Sequence, residues 1–160
     1  IVSEQVPFSY QSLWNFRMRS IQDDLVALVG IAIDEYKLEQ DYQEFIYLIR
    51  GLLEVRRPLL EEVHLVYNDE FFFYNQHFQL ISKRNLANTI DRKLMAENPM
   101  FVDSNTIAPL VSMAPRKIFI YAEDEEIRII RTLQKIFEER IIIAHPRSFA
   151  ERVREAGDTR

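Results

Sequence analysis

The sequence predicts an α+β fold, in which an amino-terminal helical layer packs on a small mixed sheet made of a β-hairpin and a βαβ unit. Apolar residues recur with helical spacing through the first third of the 160-residue chain. Two runs of β-branched and aromatic residues, 63–67 and 71–74, predict the hairpin. A strand–helix–strand pattern occupies residues 117–144, and its helical crossover predicts two parallel strands.

The first third is predicted to form two helices. In the first, over residues 10–36, residues 25–33 are apolar on nearly every side. A helix of that kind is usually enclosed by other elements, so this one is expected to be central. The second is amphipathic and covers residues 41–55. It ends before Pro58, because proline disfavours helical geometry in the residue before it.

The middle of the chain is predicted to add a strand and two helices after the hairpin. Residues 77–81 could form a short third strand. Apolar residues spaced by four indicate a helix over residues 83–97. A shorter helix over residues 105–113 follows a capping residue, either Asp103 or Ser104.

The turn over residues 122–126 is acidic and contains no glycine. A phosphate-binding turn at this place would need glycines, so the usual nucleotide-binding chemistry is excluded. The turn is instead predicted to start a helix, with Glu123 or Asp124 as the cap. The neighbouring acids would then favour the helix dipole.

The composition is that of an ordinary folded protein, with 48% hydrophobic and 28% charged residues. No repeat or linker interrupts the chain, so residues 1–160 are predicted to be a single α+β domain. In the tail, Ser148 and Glu151 form a capping-box pattern before a helix that ends at Gly157. Because the chain begins at Ile1, it is expected to be part of a longer protein.

Several classes of chemistry lack their usual residues. The chain has no cysteine and only three glycines, so it offers no thiolate, no Cys-type zinc site and no glycine-rich nucleophile motif. We therefore expect no catalytic residue and no cofactor. No apolar run approaches the ~18 residues that a membrane span needs, and the amino end does not resemble a signal peptide. These features predict a cytoplasmic protein.

The histidines are His64, His77 and His145, and two of them could approach each other across the hairpin. A catalytic zinc site needs three protein ligands, and the chain has no H-x-x-x-H or H-E-x-x-H spacing. Polar residues on a sheet face are the favoured interpretation. A metal-dependent hydrolase is kept as a second alternative function.

Basic residues near the last long helix could contact phosphate. These residues are Arg116, Lys117, Arg128, Arg131 and Lys135. Acids bracket the same helix, and the whole chain has a net charge of −5, which disfavours binding to polyanions. An ordinary charged face is favoured, and a nucleic-acid-binding module is the first alternative function.

Four consecutive aromatic residues, Phe71, Phe72, Phe73 and Tyr74, lie in the second strand of the hairpin. A strand presents alternate side chains to opposite faces, so one pair can enter the core while the other pair needs a cover. That cover is either a helix of this chain or a protein partner. The aromatic run is therefore the predicted interaction surface.

Four segments occur in an order that resembles the YtxC-like family of sporulation proteins. They are residues 34–36, 41–49, 62–66 and 110–118. The resemblance implies a bacterial sporulation protein of which this chain is the carboxy-terminal part, and it transfers no catalytic residue. The chain departs from the family pattern because the hairpin turn and the turn before Ile141 lack glycine, and because the tail lacks cysteine.

These observations predict a non-enzymatic, sporulation-associated protein that acts through a protein partner or through self-association. Its non-enzymatic character follows from the missing motifs, and its biological setting follows from the resemblance. Nucleic-acid binding and metal-dependent hydrolysis stay open as the alternatives.

Overall fold

The computed structural model describes residues 10–97, 101–103, 105–124 and 126–158. The chain divides into two compact units, with the boundary between Tyr42 and Gln43. A 3-10 turn, Glu138–Arg140, precedes the last strand. The other elements are α1 (Tyr10–Val55), β1 (Glu62–Asn68), β2 (Glu70–Asn75), α2 (Lys83–Thr89), α3 (Arg92–Glu97), α4 (Ile107–Met113), β3 (Lys117–Tyr121), α5 (Arg128–Phe137), β4 (Ile141–Ala144) and α6 (Pro146–Asp158).

The second unit is built around a four-stranded mixed sheet in the order β2-β1-β3-β4. Strands β1 and β2 form the predicted antiparallel hairpin. Strand β3 is parallel to both β1 and β4, and α5 connects β3 to β4. The α+β class, the hairpin and the parallel βαβ unit are thus confirmed.

The two faces of this sheet differ in chemistry. On the aliphatic face, as we call it, the central residues are almost fully buried: Val63, Leu65, Phe73, Ile118 and Ile120. The opposite face, called the aromatic face, carries His64, Phe72, Tyr74, Phe119 and Tyr121. Most of the remaining core residues come from helices, and those of α1 all lie in its last part: Phe45, Ile46, Ile49 and Leu53.

Helix α1 corrects two predictions. The two expected helices are one continuous helix, since residues 37–40 are Lys-Leu-Glu-Gln, all compatible with a helix. A hydrogen bond of 2.8 Å from Gln40 Nε2 to the Tyr36 hydroxyl spans the expected break. The predicted enclosure of residues 25–33 is also wrong for the described chain, where they are exposed. No described helix combines the length and apolar character needed to cross a membrane.

The helix predicted over residues 83–97 is interrupted at Ile90 and Asp91. Asp91 donates its backbone N–H to Ser112 Oγ at 2.9 Å, and its carboxylate accepts an N–H from Arg56 at 2.7 Å. The same carboxylate accepts the backbone N–H of Lys93 at 3.0 Å, which starts α3. These partners explain the break. The predicted end at residues 98–99 lies outside the described residues.

The predicted helices α4, α5 and α6 are present, but all three start at residues other than those predicted. Helix α4 starts at Ile107 rather than at residue 105, with Thr106 in the capping position. Asp103 accepts the backbone N–H of Thr106 at 2.6 Å just before α4, whereas Ser104 is outside the described residues. Helix α5 starts at Arg128, since Asp124 accepts the N–H of Glu126 at 2.8 Å and holds a separate turn.

Helix α6 begins two residues before the predicted capping serine. Ser148 lies inside the helix, and its own N–H is bonded to the carbonyl of His145 at 2.9 Å. The side chain of His145 accepts the N–H of Arg147 at 3.2 Å, so this histidine caps the helix. Helix α6 also continues through Gly157 to Asp158.

The segment after the hairpin pairs with the outer edge of β2 without forming a strand. Leu80 makes a single bridge to Tyr74. Backbone hydrogen bonds of 3.0 Å from Asn75 to Gln79 and of 2.8 Å from Ile81 to Phe73 complete the contact. The third strand suggested for residues 77–81 is therefore reduced to one bridge.

Residues with positive φ occur in the turns that lack glycine. Asp69 in the hairpin turn has φ 58°, and Glu138 before β4 has φ 48°. Ala114, at the end of α4, and Phe78 have φ of 46° and 57°. This left-handed region favours glycine, so each turn carries some backbone strain.

Candidate functional site

The first unit presents a helix whose apolar residues are exposed. Between residues 25 and 33, each large apolar residue is between 48% and 71% exposed. A methyl group added at Gly30 would touch nothing within 4 Å. The apolar residues thus surround the helix axis and face open space in the described chain. The large ones are Leu25, Val26, Leu28, Val29, Ile31 and Ile33.

Part of this apolar surface forms a regular stripe, which we call the α1 seam. Its residues alternate between spacings of four and three, and the next position in the series is Glu35. Helices that pair side by side use this spacing, because it keeps the side chains on one stripe. The α1 seam consists of Trp14, Met18, Ile21, Leu25, Leu28 and Ala32.

The second unit buries a histidine on the aromatic face of the sheet. His64 is 1% exposed, and its Nδ1 lies 3.0 Å from the hydroxyl of Tyr121 on the neighbouring strand. The imidazole stacks on Phe119 and Phe78, with ring centres 4.9 and 4.5 Å apart. Among the described residues, nothing hydrogen-bonds to its Nε2. His64 is thus enclosed by aromatic rings and bonded at one nitrogen.

Helix α6 covers this histidine cluster. The ring centre of Phe149 lies 5.1 Å from that of Tyr121 and 4.8 Å from that of Tyr74. One turn further on, the guanidinium carbon of Arg152 lies 4.3 Å from the ring centre of Phe119. Cation–π contacts of this kind contribute roughly 0.5–1 kcal/mol at exposed sites and more when water is excluded. These contacts hold α6 against the aromatic face.

Burial also sets the ionisation of the cluster. It lowers the pKa of His64 to about 4, and the positive charge of Arg152 acts in the same direction. Burial raises the pKa of Tyr121, against an opposing effect of Arg152. Both side chains are therefore uncharged at neutral pH. The pKa of His64 is far from the value near 7 that suits general acid–base catalysis.

The four consecutive aromatic residues divide between the two faces of β2. Phe71 and Phe73 lie on the aliphatic face, whereas Phe72 and Tyr74 lie on the aromatic face. Phe73 is buried and the other three are half-buried. Phe149 covers part of the second pair. The use of this run as an interaction surface remains a prediction.

All five basic residues predicted to contact phosphate are exposed: Arg116, Lys117, Arg128, Arg131 and Lys135. Arg116 forms an ion pair of 3.3 Å with Glu61, and Arg131 forms an ion pair with Glu126. The backbone carbonyl of Lys135 accepts two hydrogen bonds from Arg50. Acidic partners thus offset the charges of Arg116 and Arg131, and phosphate contact remains a prediction.

The three histidines occupy separate environments. His77 lies in the exposed turn after β2, where its Nε2 is 3.2 Å from the Gln76 amide nitrogen. His145 caps α6, and His64 is enclosed in the aromatic cluster. In the part of the chain that the structure describes, no three His, Cys, Asp or Glu residues form a group that could hold a metal.

A cavity of about 380 Å³ lies beside the carboxyl end of β1. Apolar residues such as Phe71, Leu86 and Ile127 line part of it. Its lysine, Lys83, is paired with Glu70 at 2.7 Å. Lys83 and Glu70 therefore serve a contact within the fold, and no ligand is assigned to the cavity.

Comparison with known proteins gives two consistent matches. The model of the YtxC-like family matches residues 1–142. The chain is also 34% identical over 141 residues to the protein YtxC of Bacillus subtilis (strain 168), which is described as uncharacterized. That similarity covers 88% of this chain and 50% of the relative. No solved structure matches the chain.

The chain is an α+β protein, and these two matches show that it belongs to the YtxC-like family. They confirm the resemblance seen in the sequence. It spans about half the length of the curated relative that it matches. The match to the family model ends within β4, at residue 142. Helix α6, with Phe149 and Arg152, therefore lies outside the matched range.

Sequence reasoning missed two features of these surfaces. The predictions did not include Trp14 and Met18 in an apolar stripe, although the alternating spacings of four and three residues indicated one. The partners of His64 had no local signal, since Tyr121 is 57 residues away in sequence. Only the position of His64 within an apolar strand pointed to its burial.

Proposed function

We propose that this chain is a non-enzymatic association module that binds another polypeptide through residues 10–42 of α1. The observation that carries the proposal is the exposure of residues 25–33 on all sides of a helix. Helices that are apolar all round are normally buried, so this segment is suited to enclosure by a partner.

The energy available for such association is substantial. Full burial of a Val, Leu or Ile side chain contributes roughly 1.5–3 kcal/mol. The six large residues of the segment are about half exposed or more, so covering them would supply roughly 1 kcal/mol each. Association also costs rotational and translational freedom, so only part of this total would appear as affinity.

The resemblance to sporulation proteins supports sporulation as the setting of this association. We propose the cytoplasm as its location. The described geometry favours association over the two alternatives. Acids offset part of the basic face, which weakens the case for nucleic acid. The histidines are separated, which weakens the case for a metal-dependent hydrolase.

A photo-crosslinking residue tests the proposal at single-residue resolution. Benzoylphenylalanine in place of Val29 should form a discrete crosslinked species with a polypeptide when the tagged full chain is irradiated in cells. The matched control is the same substitution at Leu59, which is 62% exposed and lies outside α1. An equal yield of crosslinks from both positions, or none from either, would contradict the proposal.

A further inference from the structure

Two acids continue the spacing of the α1 seam, and they restrict which helices can pair with it. Extending its spacing beyond Ala32 leads to Glu35 and then to Glu39. The opposite end of the seam is flanked by Arg17 and Arg19, on either side of Met18. The apolar stripe therefore continues into acids at its carboxyl end and has arginines beside it near its amino end.

We propose that the α1 seam pairs with the α1 seam of a second copy of this chain, and that the two helices run antiparallel. This inference rests on the proposed function and names the partner for it. In an antiparallel pair, the basic end of each helix lies beside the acidic end of the other. The seam is then complementary to itself in charge as well as in apolar surface.

The residues that would face each other form a consistent set of layers. Leu25 of one copy would meet Leu28 of the other beside the symmetry axis, and in the next layer the small Ala32 would lie opposite Ile21. Glu35 would face Met18, which lies between Arg17 and Arg19, and Glu39 would face Trp14. The layers are Leu25 with Leu28, Ile21 with Ala32, Met18 with Glu35 and Trp14 with Glu39.

A parallel pair in the same register would be unfavourable. It would place Glu35 against Glu35 and Glu39 against Glu39 in two successive layers. Like charges that face each other inside a helix pair oppose its formation. In the antiparallel pair, Arg17 of one copy lies close to Glu35 of the other, which partly neutralises both.

The width of the apolar surface indicates how large the assembly can be. A second row, Val26, Val29 and Ile33, lies beside the seam and is also exposed. One helix pair would leave part of this row uncovered, so two pairs can associate into a four-helix assembly. A dimer and a tetramer both consist of antiparallel pairs. All layers fall within residues 14–39 and therefore within the first unit.

Sedimentation analysis of the full chain tests self-association directly. The wild-type chain should have the mass of a dimer or tetramer, and Leu25→Gln/Leu28→Gln should shift it towards the monomer. Glutamine keeps the helix propensity of leucine while removing the apolar contact. The control Leu59→Gln changes an exposed leucine outside α1 and should keep the wild-type mass. A monomeric wild-type chain would overturn the inference.

Helix orientation can be tested because the chain contains no cysteine. The variants Ile21→Cys and Ala32→Cys should form a mixed crosslink with a short bismaleimide when combined with distinguishable tags. Ile21→Cys alone should not crosslink to itself, since the two cysteines of an antiparallel pair would be roughly 16 Å apart along the axis. Efficient self-crosslinking of Ile21→Cys would show a parallel pair and overturn the inference.

The two proposals fail in different ways. If the wild-type chain is monomeric and the mixed cysteine variants do not crosslink, self-pairing is wrong. A crosslink from position 29 to a different polypeptide would then still support the proposed function. If position 29 also gives no crosslink, both proposals are wrong.

Discussion

At the scale of single residues, His64 is a buried and closely packed side chain of the second unit. Its ring stacks between aromatic neighbours, and its single hydrogen-bond partner is Tyr121. Burial and the nearby charge of Arg152 both disfavour the protonated ring. The cluster therefore depends on a neutral imidazole.

We predict that the free energy of unfolding decreases as the pH falls from 6.5 towards 4. The folded chain lowers the pKa of His64 from 6.5 to about 4. Between these values only the unfolded chain takes up the proton, so acid favours unfolding. The lowered pKa corresponds to a contribution of about 3 kcal/mol to the free energy of unfolding. This contribution is fully present above pH 6.5 and is lost as the pH falls to about 4.

Urea denaturation of the wild-type chain and of His64→Phe, each followed from neutral pH down to about 4, measures this effect. Both proteins retain the contribution of their carboxylates, so the difference between the two curves isolates the histidine. Parallel curves would show that His64 does not titrate differently in the folded chain.

Glu138 is a second residue under constraint, with φ 48° and ψ −120° after α5. Arg50 holds it through an ion pair of 2.7 Å and also donates two hydrogen bonds to the carbonyl of Lys135. We predict that Glu138→Gly is more stable than Glu138→Ala by about 1 kcal/mol. Both variants lose the ion pair, but only glycine relieves the backbone. Equal denaturation midpoints would contradict this explanation.

At the scale of elements, α6 is held to the sheet mainly by Phe149 and Arg152. We predict that Phe149→Ala lowers the free energy of unfolding by about 2 kcal/mol, since the residue is half-buried. It should also raise the pKa of His64, because water would reach the ring. Thermal unfolding and an NMR titration of His64 measure the two effects. Val153→Ala on the same helix is the control, and it should change stability by less than about 0.5 kcal/mol.

The elements that sequence predicts well are those whose signal is local. Apolar periodicity and strand composition identified the hairpin, the βαβ unit and the helical character of α1, although α1 was predicted as two helices. The break between α2 and α3 was missed because it depends on Ser112 and Arg56, which contact Asp91 from distant parts of the chain. The start of α6 was misplaced because His145 competes with Ser148 as the cap.

The candidate site was predictable only in part, and for a related reason. Sequence shows that residues 25–33 are apolar, but it does not show whether the covering surface belongs to the same chain. The interaction function was predicted from the aromatic run 71–74, which the structure shows to be buried or half-buried. The exposed apolar residues lie instead in α1, which was expected to be central.

At the scale of the whole molecule, charge limits which partners can bind. The net charge of −5 opposes binding to phosphate, although exposed basic residues lie on and near α5. We predict that the chain does not bind generic RNA or DNA, even at low salt. Fluorescence anisotropy at two salt concentrations checks this outcome. Binding that falls steeply with salt and is lost in Lys117→Gln/Arg128→Gln would support the nucleic-acid alternative instead.

The two outer strands of the sheet differ in how their edges are protected. Backbone groups of the returning segment occupy the outer edge of β2 at Phe73 and Asn75. Among the described strands, β4 has a neighbour on one side only, and its Ile142 is 40% exposed. An unpaired apolar edge is a template for strand addition from another molecule. On heating or crowding, aggregation by strand addition should therefore start at β4 and spare β2.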